Sequence, residues 1–186
     1  MDTEFVLPNT LDNAYLLGMF EGDGYTWTGT FGVTNRDQRI LDKVTPILSQ
    51  FGRVRTRSDQ RGPYRVCVVG RPLFRSFIQK MNHIKSFLFS DRKMMIAYFA
   101  GKFDADGSKW KHVFKFKITY GLNKHIAYDI LLLRRYGVES TIRKYRNCNA
   151  FDLEISSHNA FAFYEMIKNA SLKMSSWNDK VRVVRA

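Results

Sequence analysis

An α+β architecture of two pseudo-symmetric αββαββα halves is what the amino-acid sequence predicts, on three grounds. A nine-residue segment occurs twice, as LLGMFEGDG at residues 16–24 and FAGKFDADG at residues 99–107, so that Asp23 and Asp106 stand 83 residues apart. The residue patterns that follow each copy come in the same order. The copies meet through a short, partly apolar stretch at residues 83–91 with no Gly/Ser run, so the halves are expected to pack as one body. We place them at residues 1–86 and 87–186 of one compact monomer.

Each half opens with an apolar helix that carries the repeated segment. A β-rich stretch follows at 25–34 and 109–120, then an amphipathic helix at 37–50 and 124–135. That helix closes on an aromatic–Gly pair, Phe51-Gly52 or Tyr136-Gly137, which suits a glycine C-cap. Alternating strands are predicted at 54–57 and 64–69 around a turn at 59–63, and at 140–145 and 151–156 around 146–149. A closing helix is predicted over about 72–81 and again over about 159–169. Residues 171–186 are basic, and their pattern assigns no element.

Composition bounds the function. With 45% hydrophobic and 15% aromatic residues the chain can fill a sizeable core, which excludes disorder. Thirty Lys+Arg against 17 Asp+Glu leave a formal charge of +13, which favours a polyanionic partner. Ribosomal and membrane-surface proteins share that property. Cys67 and Cys148 lie far apart, and the four histidines lack ligand spacing, so reduced cysteines and no zinc site are expected. The first ten residues carry Asp2 and Glu4 and no apolar run, and no stretch approaches membrane-spanning length. A soluble, intracellular protein without a membrane partner is expected.

The repeated segment has the makings of a site. Small residues stand four apart on each helix, Gly18 and Gly22 on the first, Gly101 and Ala105 on the second, so two backbones can approach closely along one face. Helices crossing there would bring Asp23 and Asp106 together. Carboxylates at two helix C-termini meet the negative ends of both macrodipoles and repel each other. Hard divalent cations relieve both conflicts, and can activate water for displacement at a phosphodiester. One apolar helix ending in Asp-Gly is an ordinary helix entering a turn; two copies at matching positions of parallel halves are not. Gly22-Asp23-Gly24 is too short and too acidic to cradle phosphate.

These residues resemble the LAGLIDADG homing endonucleases, in the form that carries two motifs in one chain. LLGMFEGDG keeps the central Gly, the two acids and the final Gly; FAGKFDADG keeps Ala-Gly and the full DADG ending. The flanking element order extends the resemblance over nearly the whole chain. It implies a saddle of two antiparallel sheets around a central two-helix interface. It implies that Asp23 and Asp106 bind Mg²⁺, with Mn²⁺ as an alternative, and that the backbone carbonyls of Gly22 and Ala105 join them. Glu21 and Asp104 look more like helix-end and interface residues. Lys109 lies where some members place a catalytic-site lysine, and Thr26 holds the matching position in the first half. Asn35 and Arg36 match polar or basic positions bounding the family's solvent pocket, whereas Tyr120 and Gly121 stand there in the second half, so the two strand cuts are expected to differ in rate.

Alternation puts Arg53, Arg55 and Arg57 on one strand face and sets Lys111, Lys115 and Lys117 between His112, Phe114, Phe116 and Ile118. Together with Arg36, Arg61, Arg65 and Arg143 these residues are candidates for contact with double-stranded DNA, and Thr26, Thr28 and Thr30 join them as an alternating set between Trp27 and Phe31. The expected function is a site-specific, intron-encoded, metal-dependent endonuclease. It would make a staggered double-strand break in a long, partly palindromic target and need no obligate protein partner. The alternative is an RNA maturase acting on intron RNA, or a non-cleaving DNA-binding protein, on the same fold; intact motif acids favour cleavage. A basic structural protein of a ribonucleoprotein ranks last. Intein splice-junction residues are not seen.

Overall fold

The repeated segments form the last turns of two central helices, about which the remaining elements are arranged. The structure, a computed structural model, describes residues 10–58, 62–110, 113–121, 125–146 and 148–177. Helix α1 (Leu11–Asp23) begins where Thr10 accepts the Asn13 N–H; helix α4 (Arg92–Asp106) begins where Asp91 accepts those of Lys93 and Met94. Burial runs around both helices, through residues 13–19 of the first and most of 94–104 of the second, as a helix flanked on every side requires. Their contact is backbone on backbone. A Cβ at Gly18 would run into the Tyr98 carbonyl oxygen and come within 2.7 Å of the Lys102 nitrogen. One at Gly101 would run into the Tyr15 carbonyl oxygen.

Each central helix passes directly into a hairpin. Strands β1 (Gly24–Trp27) and β2 (Thr30–Asn35) turn over Thr28-Gly29, whose φ of 40° and 82° are the left-handed pair of a type I′ turn. Helix α2 (Gln38–Ser49), strands β3 (Val54–Ser58) and β4 (Tyr64–Val69) and helix α3 (Arg71–Phe87) complete the first half. The second half repeats the order with β5 (Gly107–Lys109), β6 (Phe116–Tyr120), α5 (Ile126–Arg135), β7 (Ser140–Lys144), β8 (Phe151–Ile155) and α6 (Ser157–Ile167). A short α7 (Leu172–Ser175) follows. Both sheets are antiparallel and have the same connectivity, β1-β2-β4-β3 and β5-β6-β8-β7. The predicted α+β class and the αββαββα order of each half are both present.

One face of each sheet is sealed by helices. Phe31, Val33, Val66 and Val68 in the first sheet, and Phe116, Ile118, Leu153 and Ile155 in the second, are fully buried. The opposite faces carry the exposed Arg55, Arg57 and Arg65 and the exposed Arg143. At the end of α5, Val138 donates to the Leu133 carbonyl and Gly137 to that of Arg134, with Gly137 at φ 81°, the glycine cap that the sequence predicts. Helix α3 runs to Phe87 instead of stopping near residue 81, because Ile84 is buried and Lys85 reaches Glu21 at 2.6 Å. The β-rich stretch predicted at 109–120 is two short strands, and Lys111 and His112 between them lie outside the described residues.

Candidate metal and nucleic-acid site

The C-terminal ends of α1 and α4 meet at Gly22, where an added Cβ would lie 2.6 Å from both the Ala105 Cβ and Asp106 Oδ2. The structure therefore brings Gly22, Ala105, Asp23 and Asp106 together. Burial and the charge of Asp23 push the Asp106 pKa up to about 6. Burial also raises that of Asp23, against the Asn35 amide and the charge of Lys173. Two carboxylates on two negative helix ends form a pocket short of positive charge. Two carboxylates with neighbouring backbone carbonyls fit an Mg²⁺-like ion, which prefers oxygen and retains waters or takes phosphate oxygens. Among the described residues no group of three or more His, Cys, Asp or Glu adds a further ligand set.

The two sides of this pocket are unequal. Asn35, 9% exposed at the end of β2, donates its amide to Asp23 Oδ2 at 2.6 Å and is itself fixed by the Asp37 N–H at 2.9 Å. At the corresponding place Tyr120 turns away and donates to Asp129 at 2.6 Å. Asp106 instead borders a cavity of about 460 Å³ that Gly22, Lys102, Thr119 and Gly121 also line. Arg36 is exposed one residue past Asn35. Lys109 pairs with Phe116 in the β5–β6 ladder, and its ammonium lies 5.5 Å from the centre of the Phe114 ring. Lys173 of α7 reaches the pocket as well, donating to the carbonyls of Ala105 at 2.8 Å and Gly107 at 3.3 Å.

The acids two residues before the motif aspartates fasten the helices together. Tyr15 and Tyr98 occupy matching positions of the two copies, and each donates to the acid of the other helix: Tyr15 to Asp104 at 2.8 Å, Tyr98 to Glu21 at 2.5 Å. Lys102 is 2% exposed and bridges Glu21 at 2.8 Å and Asp129 at 2.5 Å. Burial opposes ionisation of Glu21, but Lys102 and Lys85 overcome it and hold its pKa at about 2. Asp104 accepts from Ser171 Oγ at 2.6 Å and from the backbone N–H groups of Leu172 and Lys173 at 2.9 Å each, which pins α7 against α4. Sequence reasoning missed Tyr98, Lys102, Asp129 and Lys173. Lys102 was detectable, as a lysine where the first copy has Met19 in an apolar helix.

The open faces also differ. On the first sheet Arg55 pairs with Cys67 and Arg57 with Arg65. The turn at Thr28-Gly29 breaks the alternation read through residues 25–34: Trp27 pairs with Thr30 on the arginine side, whereas Thr26 pairs with buried Phe31 on the other. The expected threonine face is thus corrected to one that holds Thr30, Tyr25 and the 70%-exposed Trp27, with Thr28 in the turn. Arg53 is exposed just before β3, and Arg61 lies outside the described residues. On the second sheet the basic face is largely neutralised, contrary to expectation. Lys117 donates to Asp152 at 2.8 Å, Lys115 to Glu154 at 2.6 Å, and Arg143 lies 3.5 Å from Glu154.

Arg57 stands directly opposite Arg65 in the β3–β4 ladder, a like-charge cross-strand pair that an anion would stabilise. Arg57→Gln is therefore expected to leave stability unchanged or raise it by up to ~1 kcal/mol. Were this face a DNA contact, the same change would weaken binding to unrelated duplexes and flatten the slope of log K against log salt by about one. Fluorescence anisotropy at several salt concentrations checks this; an unchanged slope would remove Arg57 from the phosphate contacts.

Residues 10–82 match the family described as the LAGLIDADG-like domain. The fold is that of I-DmoI: its complex with DNA and Mn aligns with a TM-score of 0.70 and 19% identity over 86% of this chain and 97% of that one. The complex with DNA and Ca gives 0.72 and 17% over 93% and 100%. Full-length DUF199/WhiA from Thermatoga maritima aligns at 0.68 and 14%, over 98% of this chain and 64% of that one. No curated protein sequence matches significantly.

Proposed function

Because the chain carries a LAGLIDADG-like domain at residues 10–82 and the fold of the homing endonuclease I-DmoI over most of its length, we propose that it is a site-specific DNA endonuclease. The observation that carries this reading is the convergence of Asp23 and Asp106 with Gly22 and Ala105 at the end of a glycine-tight helix pair. A divalent ion there, Mg²⁺ or Mn²⁺, would polarise the phosphodiester and activate water for in-line displacement. The protein's own part is positional. Asn35 orients Asp23, and the Tyr15–Asp104 and Tyr98–Glu21 bonds hold both helix ends in place. Arg36, one residue past the end of β2, and Lys109, the last residue of β5, are assigned to the phosphate on the resemblance of their positions to the family's. The first sheet grips DNA through Arg55, Arg57 and Arg65, while Lys115, Lys117 and Arg143 must exchange acidic partners for phosphates.

The two unlike faces suit a long, only partly palindromic target and a staggered break made by a monomer. The I-DmoI complexes contain DNA and divalent metals, which supports the same partners here. The test is cleavage of a selected target by the wild type, Asp23→Asn and Asp106→Asn. Activity that survives both substitutions would refute the assigned roles. Tight binding of DNA or intron RNA by a wild type that never cuts would favour the maturase or DNA-binding alternative.

A further inference from the structure

Taken as two pairs, Asp23 with the Ala105 carbonyl and Asp106 with the Gly22 carbonyl, the four groups have unequal surroundings. At the Asp23–Ala105 position, one Asp23 oxygen already accepts the Asn35 amide at 2.6 Å, and the Ala105 carbonyl accepts the Lys173 ammonium at 2.8 Å. Lys173 is not loosely placed. Asp104 accepts its backbone N–H at 2.9 Å along with Ser171 Oγ and the Leu172 N–H, so α7 is bolted to the helix that supplies the carbonyl. At the Asp106–Gly22 position no amide corresponds to Asn35, because Tyr120 is committed to Asp129, and the carboxylate faces an open cavity. A fixed ammonium can offset helix-end and carboxylate charge much as a metal would, but it offers no open coordination site for water.

We propose that Lys173 is a resident cation of the Asp23–Ala105 position, holding the carbonyl that a divalent ion would take. The Asp106–Gly22 position then fills first, and the other fills only as Lys173 is displaced. This rests on the reading above that these four groups hold metal. Its consequence is ordered cleavage, in which one strand is cut before the other and a nicked duplex accumulates at low metal concentration.

The test is an Mn²⁺ titration of the full chain, with free Mn²⁺ read by electron paramagnetic resonance, for wild type, Lys173→Met, both again with Asp23→Asn, and Asp106→Asn. Two affinities are expected in the wild type. Lys173→Met should tighten the weaker one by roughly tenfold, and Asp23→Asn should abolish that gain. In parallel, acetylation of Lys173 followed by mass spectrometry should speed up when Ca²⁺ is added to the wild type, and should not in Asp23→Asn. That second readout needs no change at Lys173, so it decides the matter even if Lys173→Met fails to fold. Mn²⁺ affinities indifferent to Lys173→Met, or acetylation indifferent to Ca²⁺, would overturn the role of Lys173 alone. Mn²⁺ binding indifferent to both Asp23→Asn and Asp106→Asn would overturn the metal-holding reading beneath it.

Discussion

Gly101→Val is expected to abolish the folded state. The position has no room for any side chain, since even a Cβ would collide with the Tyr15 carbonyl oxygen and sit 3.1 Å from the Met19 nitrogen. Relief requires α1 and α4 to separate, and their contact is where the two halves meet. Separation would also open the Tyr15–Asp104 and Tyr98–Glu21 bonds and leave Lys102, Glu21 and Asp129 without full compensation. Overpacking alone costs about 1–3 kcal/mol, and breaking a buried ionic network about 3–5 kcal/mol more. The sum is comparable with the roughly 5–15 kcal/mol that holds a domain folded. Urea melts followed by circular dichroism check it against Gly121→Ala, where an added Cβ meets nothing within 4 Å. A cooperative Gly101→Val melt near the wild-type midpoint would show that the helix interface is not as tight as described.

Asp106→Asn is expected to stabilise the metal-free protein while lowering the proposed cleavage by roughly a thousandfold or more. Burial and the neighbouring Asp23 charge raise this carboxyl from its ordinary 3.8 to about 6 in the folded state. The folded protein therefore holds that proton more tightly than the unfolded chain. The resulting stability is fully present below pH 3.8 and is lost as pH rises through about 6. At neutral pH the ionised Asp106 is a liability, and the amide should recover on the order of 1–3 kcal/mol. Thermal melts of both proteins in chelator across pH 4–8 check the sign: the curves should diverge as pH rises. A variant less stable than the wild type at neutral pH would mean that Asp106 is a structural residue and not a site kept for its chemistry.

Much of this is legible in the sequence. The duplicated segment, its glycines four apart and the order of periodicities after each copy were enough for the halves, the central helices and the meeting of Asp23 with Asp106. These are local patterns, and pseudo-symmetry lets each copy support the other. What was not legible depends on partners distant in sequence. Nothing near Lys173 signals that α7 returns to Asp104 and so places an ammonium on the Ala105 carbonyl. The neutralisation of Lys115 and Lys117 depends on strand register, which aligns Asp152 and Glu154 with β6. The threonine face was misread for a local reason: a two-residue turn at Thr28-Gly29 inverts the alternation that a continuous strand would keep.

Whether the joined helix ends cut DNA with metal is read from cleavage of a large library of long duplexes with sequencing of the new ends. The full chain is incubated with the library in Mg²⁺ and separately in Ca²⁺. Ends clustered on one long, imperfectly palindromic sequence in Mg²⁺, absent in Ca²⁺ and absent with Asp106→Asn, are the predicted result. Tight, salt-dependent retention of DNA with no new ends in Mg²⁺ or Mn²⁺ would contradict it and leave a binding protein on an endonuclease fold.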